Sequence, residues 1–204
     1  MLEVISEELL QYQQNKLADY QLKNKKVADG GVVIAGDSII EFYPIKKYFG
    51  QDFPLTNRGI AGTDSQWLLD HVDTQVNDLN PEHVILLIGC NDIGLGFDKA
   101  HILSNIVDII GQIRSHSIYC QISLLSLVPV SKNPIYQKTV KARTNQAIDE
   151  INQDLAMIPA INFIDINSIL KNEQGGLADE YTLDGMHLNF LAYSKISEII
   201  KTYL

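Results

Sequence analysis

The stretch Gly31-Val32-Val33-Ile34-Ala35-Gly36-Asp37-Ser38-Ile39-Ile40 runs from an apolar segment, through a glycine, into residues that can open a helix. Five residues without a polar side chain, ended by turn formers, suit a strand covered on both faces, as in a parallel sheet. Gly36 supplies a tight backbone corner, and Ser38 can cap a helix through Ile39 to Tyr43. The same geometry would present the Ser38 hydroxyl outward, beside a helix N-terminus that favours negative charge.

The pattern repeats along the 204 residues. Further apolar runs at Pro54 to Asn57, His83 to Ile88, Tyr119 to Leu125 and Ile161 to Ile164 predict four more strands. Amphipathic segments at Ser6 to Lys26, Ser65 to Asn77, Lys99 to His116, Lys138 to Met157 and Asn189 to Tyr203 predict helices, with apolar residues recurring every three or four positions. Alternating strands and helices imply an α/β fold, a five-stranded parallel sheet between two helical layers. With no linker and no repeat, one domain over 1–204 is expected, the helix of residues 1–28 packing on it through Leu9, Leu10, Leu17 and Tyr20. In the final helix Leu191, Ile196, Ile199 and Ile200 form a stripe that should face the sheet.

Composition narrows the function. The chain is 46% hydrophobic and 20% charged, with a formal net charge of -9. That charge repels a phosphate backbone and an anionic membrane surface, and no basic stripe opposes it, so neither nucleic acid nor stable membrane insertion is expected. The polar N-terminus and strand-sized apolar runs predict a cytoplasmic protein, unless a secretion signal precedes this sequence. Cys90 and Cys120 lack paired spacing and read as buried free thiols.

In open parallel sheets ligands bind beyond the carboxyl ends of the strands. Gly36-Asp37-Ser38 follows the first strand, Asn57-Arg58-Gly59 the second and Gly89-Cys90-Asn91-Asp92 the third, while Asp184-Gly185-Met186-His187 precedes the last helix. The Gly-Asp-Ser tripeptide alone is a modest signal, arising by chance in about 5% of chains this long. A serine hydroxyl needs a base, and of five histidines His83 opens a strand at the wrong end of the sheet while His71, His101 and His116 fall on surface helices. His187 falls in the turn before the last helix, and Asp184, three residues earlier, can accept its Nδ1 proton and leave Nε2 for Ser38. For an oxyanion, the Ser38 amide, the Asn91 side chain and the Gly59 amide are candidate donors. Each residue singly could be a plain turn or cap.

Together the four blocks resemble those of the SGNH hydrolase superfamily, the GDSL-type lipases and esterases, from about Gly31 to the final helix. Gly-Asp-Ser-Ile-Ile and Asn-Arg-Gly-Ile-Ala-Gly are especially similar to the platelet-activating-factor acetylhydrolase-like branch. The resemblance implies a flavodoxin-like three-layer α/β/α sandwich, with Ser38 as nucleophile, His187 and Asp184 as base and orienter, and Gly59, Asn91 and the Ser38 amide as oxyanion donors. It implies carboxylic ester hydrolysis, with short acyl groups favoured. Ile39 departs from the leucine of the GDSL pattern, and Asp37 and Asp92 are expected to brace turns.

Such chemistry needs no metal or organic cofactor. Ile60, Thr63, Ile93, Val128, Pro129, Met186 and Leu188 flank the blocks and are candidates for an apolar substrate pocket. The ester could be lipid-like or an acetylated sugar, a homo-oligomer is left open, and a carbohydrate O-deacetylase is the main alternative. Two rivals lie further off: a phosphoesterase holding cations on Asp37, Asn91, Asp92, Asp184 and His187, and a non-catalytic binding relative.

Overall fold

A computed structural model describes residues 1–204. Five parallel strands, β1 (Val32–Gly36), β2 (Leu55–Gly59), β3 (His83–Leu87), β4 (Gln121–Leu125) and β5 (Asn162–Ile164), form one sheet in the order β2-β1-β3-β4-β5. The helices are α1 (Glu7–Asn24), α2 (Ser38–Glu41), α3 (Ile45–Phe49), α4 (Ser65–Asp70), α5 (Val72–Gln75), α6 (Cys90–Leu95), α7 (Lys99–His116), α8 (Gln137–Val140), α9 (Asn145–Leu155) and α10 (Phe190–Ile200). The expected α/β sandwich is therefore observed.

Strand periodicity divides the core in two. Val33 and Ala35 of β1 and Val84 and Leu86 of β3 join the side chains of α4, α5, α7 and α9 on one face. Val32, Ile34, Ile85 and Leu87 point the other way, into α2, α3 and α10. Of the stripe expected on the last helix, Ile196 and Ile200 are buried, whereas Leu191 is 56% exposed.

Two expected helices are broken. The segment Ser65 to Asn77 divides at His71 into α4 and α5. The segment Lys138 to Met157 divides at Lys141, whose φ of 55° is left-handed, and α9 restarts with Thr144 capping the Ala147 N–H. That break turns Arg143 inward to a side-chain exposure of 0%. The face expected on α1 also needs correction: Tyr20 is buried, but Leu10 is 39% exposed. Polar contacts hold the helix, since Tyr20 Oη donates to Gly59 O (2.7 Å), Gln13 Nε2 to Ala61 O (3.2 Å) and Asn24 Nδ2 to Thr74 O (2.8 Å). Cys90 and Cys120 are free and buried.

Candidate active site

The strand order reverses between β1 and β3, so the loops leaving these strands open a crevice at the carboxyl edge. Gly36 at the end of β1 stands in register with Gly59 on one side and Leu87 on the other. The segments that follow, at Ser38, Gly62 and Asn91, are thus neighbours because their strands are.

Ser38 opens α2 and is 7% exposed. Its N–H, at the first helical position, has no intrahelical acceptor. Asp37 is the N-cap, accepting the Ile39 N–H on Oδ1 at 2.9 Å. The Ser38 Oγ lies 3.0 Å from His187 Nε2, and His187 Nδ1 lies 2.8 Å from Asp184 Oδ2. Asp184 Oδ1 accepts the backbone N–H groups of His187 (2.8 Å) and Met186 (3.1 Å), fixing the carboxylate as well as the ring it holds. Partial burial of Asp184 works to raise its pKa, but these hydrogen bonds and the His187 ring win and hold it below the usual carboxylate range. Thr182 completes the turn, its Oγ1 donating to His187 O (2.8 Å) while accepting the Gly185 N–H (2.8 Å).

Asn91 is 7% exposed and donates through Nδ2 to Thr63 O at 2.9 Å, leaving its second amide proton without a protein acceptor. Its Oδ1 accepts from Arg143 Nη2 at 2.8 Å. Asp92 is fully buried and accepts the Ser65 N–H and hydroxyl at the start of α4.

The glycine expected to donate to an oxyanion is occupied elsewhere. The Gly59 N–H donates to Asn57 Oδ1 (2.9 Å), and a Cβ at Gly59 would stand 2.2 Å from Glu41 N. Gly59 lets β2 and α2 approach each other. Three residues on, Gly62 has φ of 76° and an N–H without a protein acceptor, next to the Thr63 carbonyl that holds Asn91. Only the amide count could have separated the two glycines, because both lie in the same Asn-Arg-Gly-Ile-Ala-Gly block.

The proposed pocket lining is also corrected. Ile60, Val128 and Leu188 are 3% exposed or less, and Thr63, Ile93, Pro129 and Met186 are buried too; Ile93 and Met186 join one core and Val128 and Leu188 the other. Exposed apolar surface near His187 comes instead from Phe42, whose ring centroid is 5.8 Å from the imidazole, and from Leu183. The five residues of a phosphoesterase reading do not converge on one point: Asp184 meets His187, but Asp92 turns to Ser65 and Asp37 to the Ile39 amide. No group of three or more His, Cys, Asp or Glu is placed to hold a metal ion.

The sequence pattern of the GDSL-like lipase/acylhydrolase family matches residues 34–195, from β1 into α10. The chain belongs to this family. A Streptococcus pneumonia protein described as a platelet activating factor is 32% identical, with a TM-score of 0.91 over 96% of this chain and 94% of that one. An acylhydrolase of Bacteroides fragilis has a TM-score of 0.81 at 23% identity, over 92% and 94% of the two chains. The chain is also 27% identical over 201 residues to an N-acylneuraminate cytidylyltransferase of Escherichia coli, covering 95% of this chain and 45% of that protein. It therefore spans less than half the length of that relative. No helix of this GDSL-type hydrolase is long and apolar enough to cross a membrane.

Burial pushes the Asp37 carboxyl up to about 6, against the Ile39 hydrogen bond and the fields of His187 and Arg143. A carboxyl raised above its unfolded value stabilises the fold fully below about pH 4 and loses that contribution as pH rises through about 6. Asp37→Asn keeps the capping acceptor and removes the buried charge. Thermal melts should show it gaining up to about 3 kcal/mol over the parent at pH 8, with the gap closing by pH 4. A gap that is independent of pH would mean the carboxyl titrates normally.

Proposed function

We propose that Ser38 is the nucleophile of an acyl-transfer cycle in which His187 is the base, Asp184 orients it, and the Ser38 and Gly62 amides with Asn91 Nδ2 receive the oxyanion. The observation that carries this is the unbroken chain from Ser38 Oγ through His187 to Asp184, 3.0 and 2.8 Å, at the carboxyl edge of the sheet. Ser38 Oγ adds to the ester carbonyl carbon as its proton passes to His187 Nε2, and the carbonyl π pair moves to oxygen. Collapse of the tetrahedral adduct breaks the bond to the alcohol oxygen, which takes the proton back from the imidazolium. Water, deprotonated by the same ring, then cleaves the acyl-serine and returns the serine proton.

A short acyl group suits this site, because the apolar residues flanking the blocks are folded into the core. The cavity such residues would need to line for a long chain is filled by their own packing. A sugar ester is the second reading, favoured by the match of almost the whole chain to part of an enzyme named for N-acylneuraminate. The paired readings separate in one assay. Acetyl, butyryl and octanoyl esters of one chromogenic alcohol, run beside O-acetylated N-acylneuraminate and an acetylated lipid, should give the highest kcat/KM with acetyl. Preference for octanoyl would overturn the short-acyl reading, and lipid over sugar the second. Two buried, unpaired thiols suit a cytoplasmic site of action.

A further inference from the structure

Arg143 is buried, yet its guanidinium spans three acceptors. Nε donates to Cys90 O (2.9 Å), Nη2 donates to Asn91 Oδ1 (2.8 Å), and Nη2 also pairs with a carboxylate oxygen of Glu3. Glu3 reaches this position on the extended segment ahead of α1, where its N–H donates to Gly94 O (2.7 Å) and its other carboxylate oxygen takes Lys141 Nζ (3.0 Å). Gly94, within α6, makes room for the arrangement, since a Cβ there would stand 2.5 Å from Arg143 Cζ and 2.6 Å from Glu3 Oε2. Nη1 is buried with no hydrogen-bond partner. An unmet buried donor costs about 1–3 kcal/mol, and the charge is neither at the surface nor in a simple pair.

We propose that Arg143 is a positioning residue that sets the orientation and donor strength of the Asn91 amide, and that Glu3 holds Arg143 in place from the N-terminal segment. An amide can flip, exchanging Oδ1 and Nδ2. Arg143 has only donors, so it accepts one orientation alone, with Oδ1 towards the guanidinium. Thr63 O then takes one Nδ2 proton, and the other is left for a developing oxyanion. A cation on Oδ1 also draws electron density from the amide nitrogen and strengthens its N–H as a donor, in a site with little water to screen it. Glu3 stops the guanidinium from swinging to another acceptor. The cost of misplacement falls in the transition state, where oxyanion donors act, so kcat changes and KM does not.

This inference rests on Asn91 as an oxyanion donor, and a double-mutant cycle separates the two. Activity on a short-acyl chromogenic ester is measured for Asn91→Ala, Arg143→Met, Arg143→Lys, Glu3→Gln and the combinations of each with Asn91→Ala, alongside thermal melting. Arg143→Met should lower kcat about 10- to 100-fold with KM within about threefold, Arg143→Lys should recover part of it, and Glu3→Gln should cost about two- to tenfold. In the Asn91→Ala background each of these effects should vanish, because the group they act through is gone. Equal losses with and without Asn91 overturn the positioning role. Full activity of Asn91→Ala overturns the oxyanion reading itself. If Arg143→Met does not fold, Arg143→Lys and Glu3→Gln, at a side chain only partly buried, carry the same cycle to the same decision.

Discussion

Ser38→Ala should lose about 10⁴- to 10⁶-fold in kcat while melting within about 1 kcal/mol of the parent. The hydroxyl makes one contact of note, with His187 Nε2, and removing it leaves no buried group stranded, because the ring keeps Asp184 on its other nitrogen. The residual rate would come from binding and the oxyanion donors alone. A fluorophosphonate probe supplies the second measurement. Mass spectrometry should place one adduct on Ser38 in the parent, none in Ser38→Ala, and slow formation in His187→Ala, where the base is missing. An adduct on another serine, in well-folded protein, would falsify the nucleophile assignment.

The second large effect distinguishes two glycines of one block. Gly59→Ala should destabilise the fold by on the order of 3 kcal/mol, because its methyl would lie 2.2 Å from Glu41 N and 2.7 Å from Ile40 C, backbone atoms of the short helix that carries Ser38. Relief requires α2 to move away from β2, taking the Ser38 hydroxyl off His187. Activity and melting temperature should therefore fall together. Gly62→Ala meets only the Leu9 side chain and the Gln13 amide, at 2.8 and 3.2 Å, and a left-handed φ of 76° that costs about 1–2 kcal/mol. It should stay folded but approach the ~10²-fold loss in kcat of a missing oxyanion donor as its loop shifts. Urea titrations with kcat measurements check both. A stable Gly59→Ala that loses only kcat would return the donor role to Gly59.

That Ser38, Asn91, Asp184 and His187 would gather at one edge of the sheet was legible because strand ends and helix starts are local features. An apolar run ending in Gly36-Asp37-Ser38 names a turn, and a parallel sheet collects such turns at one edge wherever the strands fall in its order. The same reasoning misplaced the apolar residues beside the blocks. Proximity in sequence to a functional residue does not decide which way a side chain points, and Ile60, Val128 and Leu188 turn into the core.

Local pattern by itself determined the α/β class, the five strands and the residues at their carboxyl ends, since these depend on periodicity and turn chemistry within a few positions. Only the tertiary structure decided what pairs with what. Gly59 and Gly62 are indistinguishable in sequence until Asn57 Oδ1 takes one amide and leaves the other. Arg143 sits inside an uninterrupted helical pattern until Lys141 breaks it, and Glu3 is 140 residues away. Contacts of that span are set by how the layers pack and which buried polar groups must be met, a requirement that belongs to the folded whole.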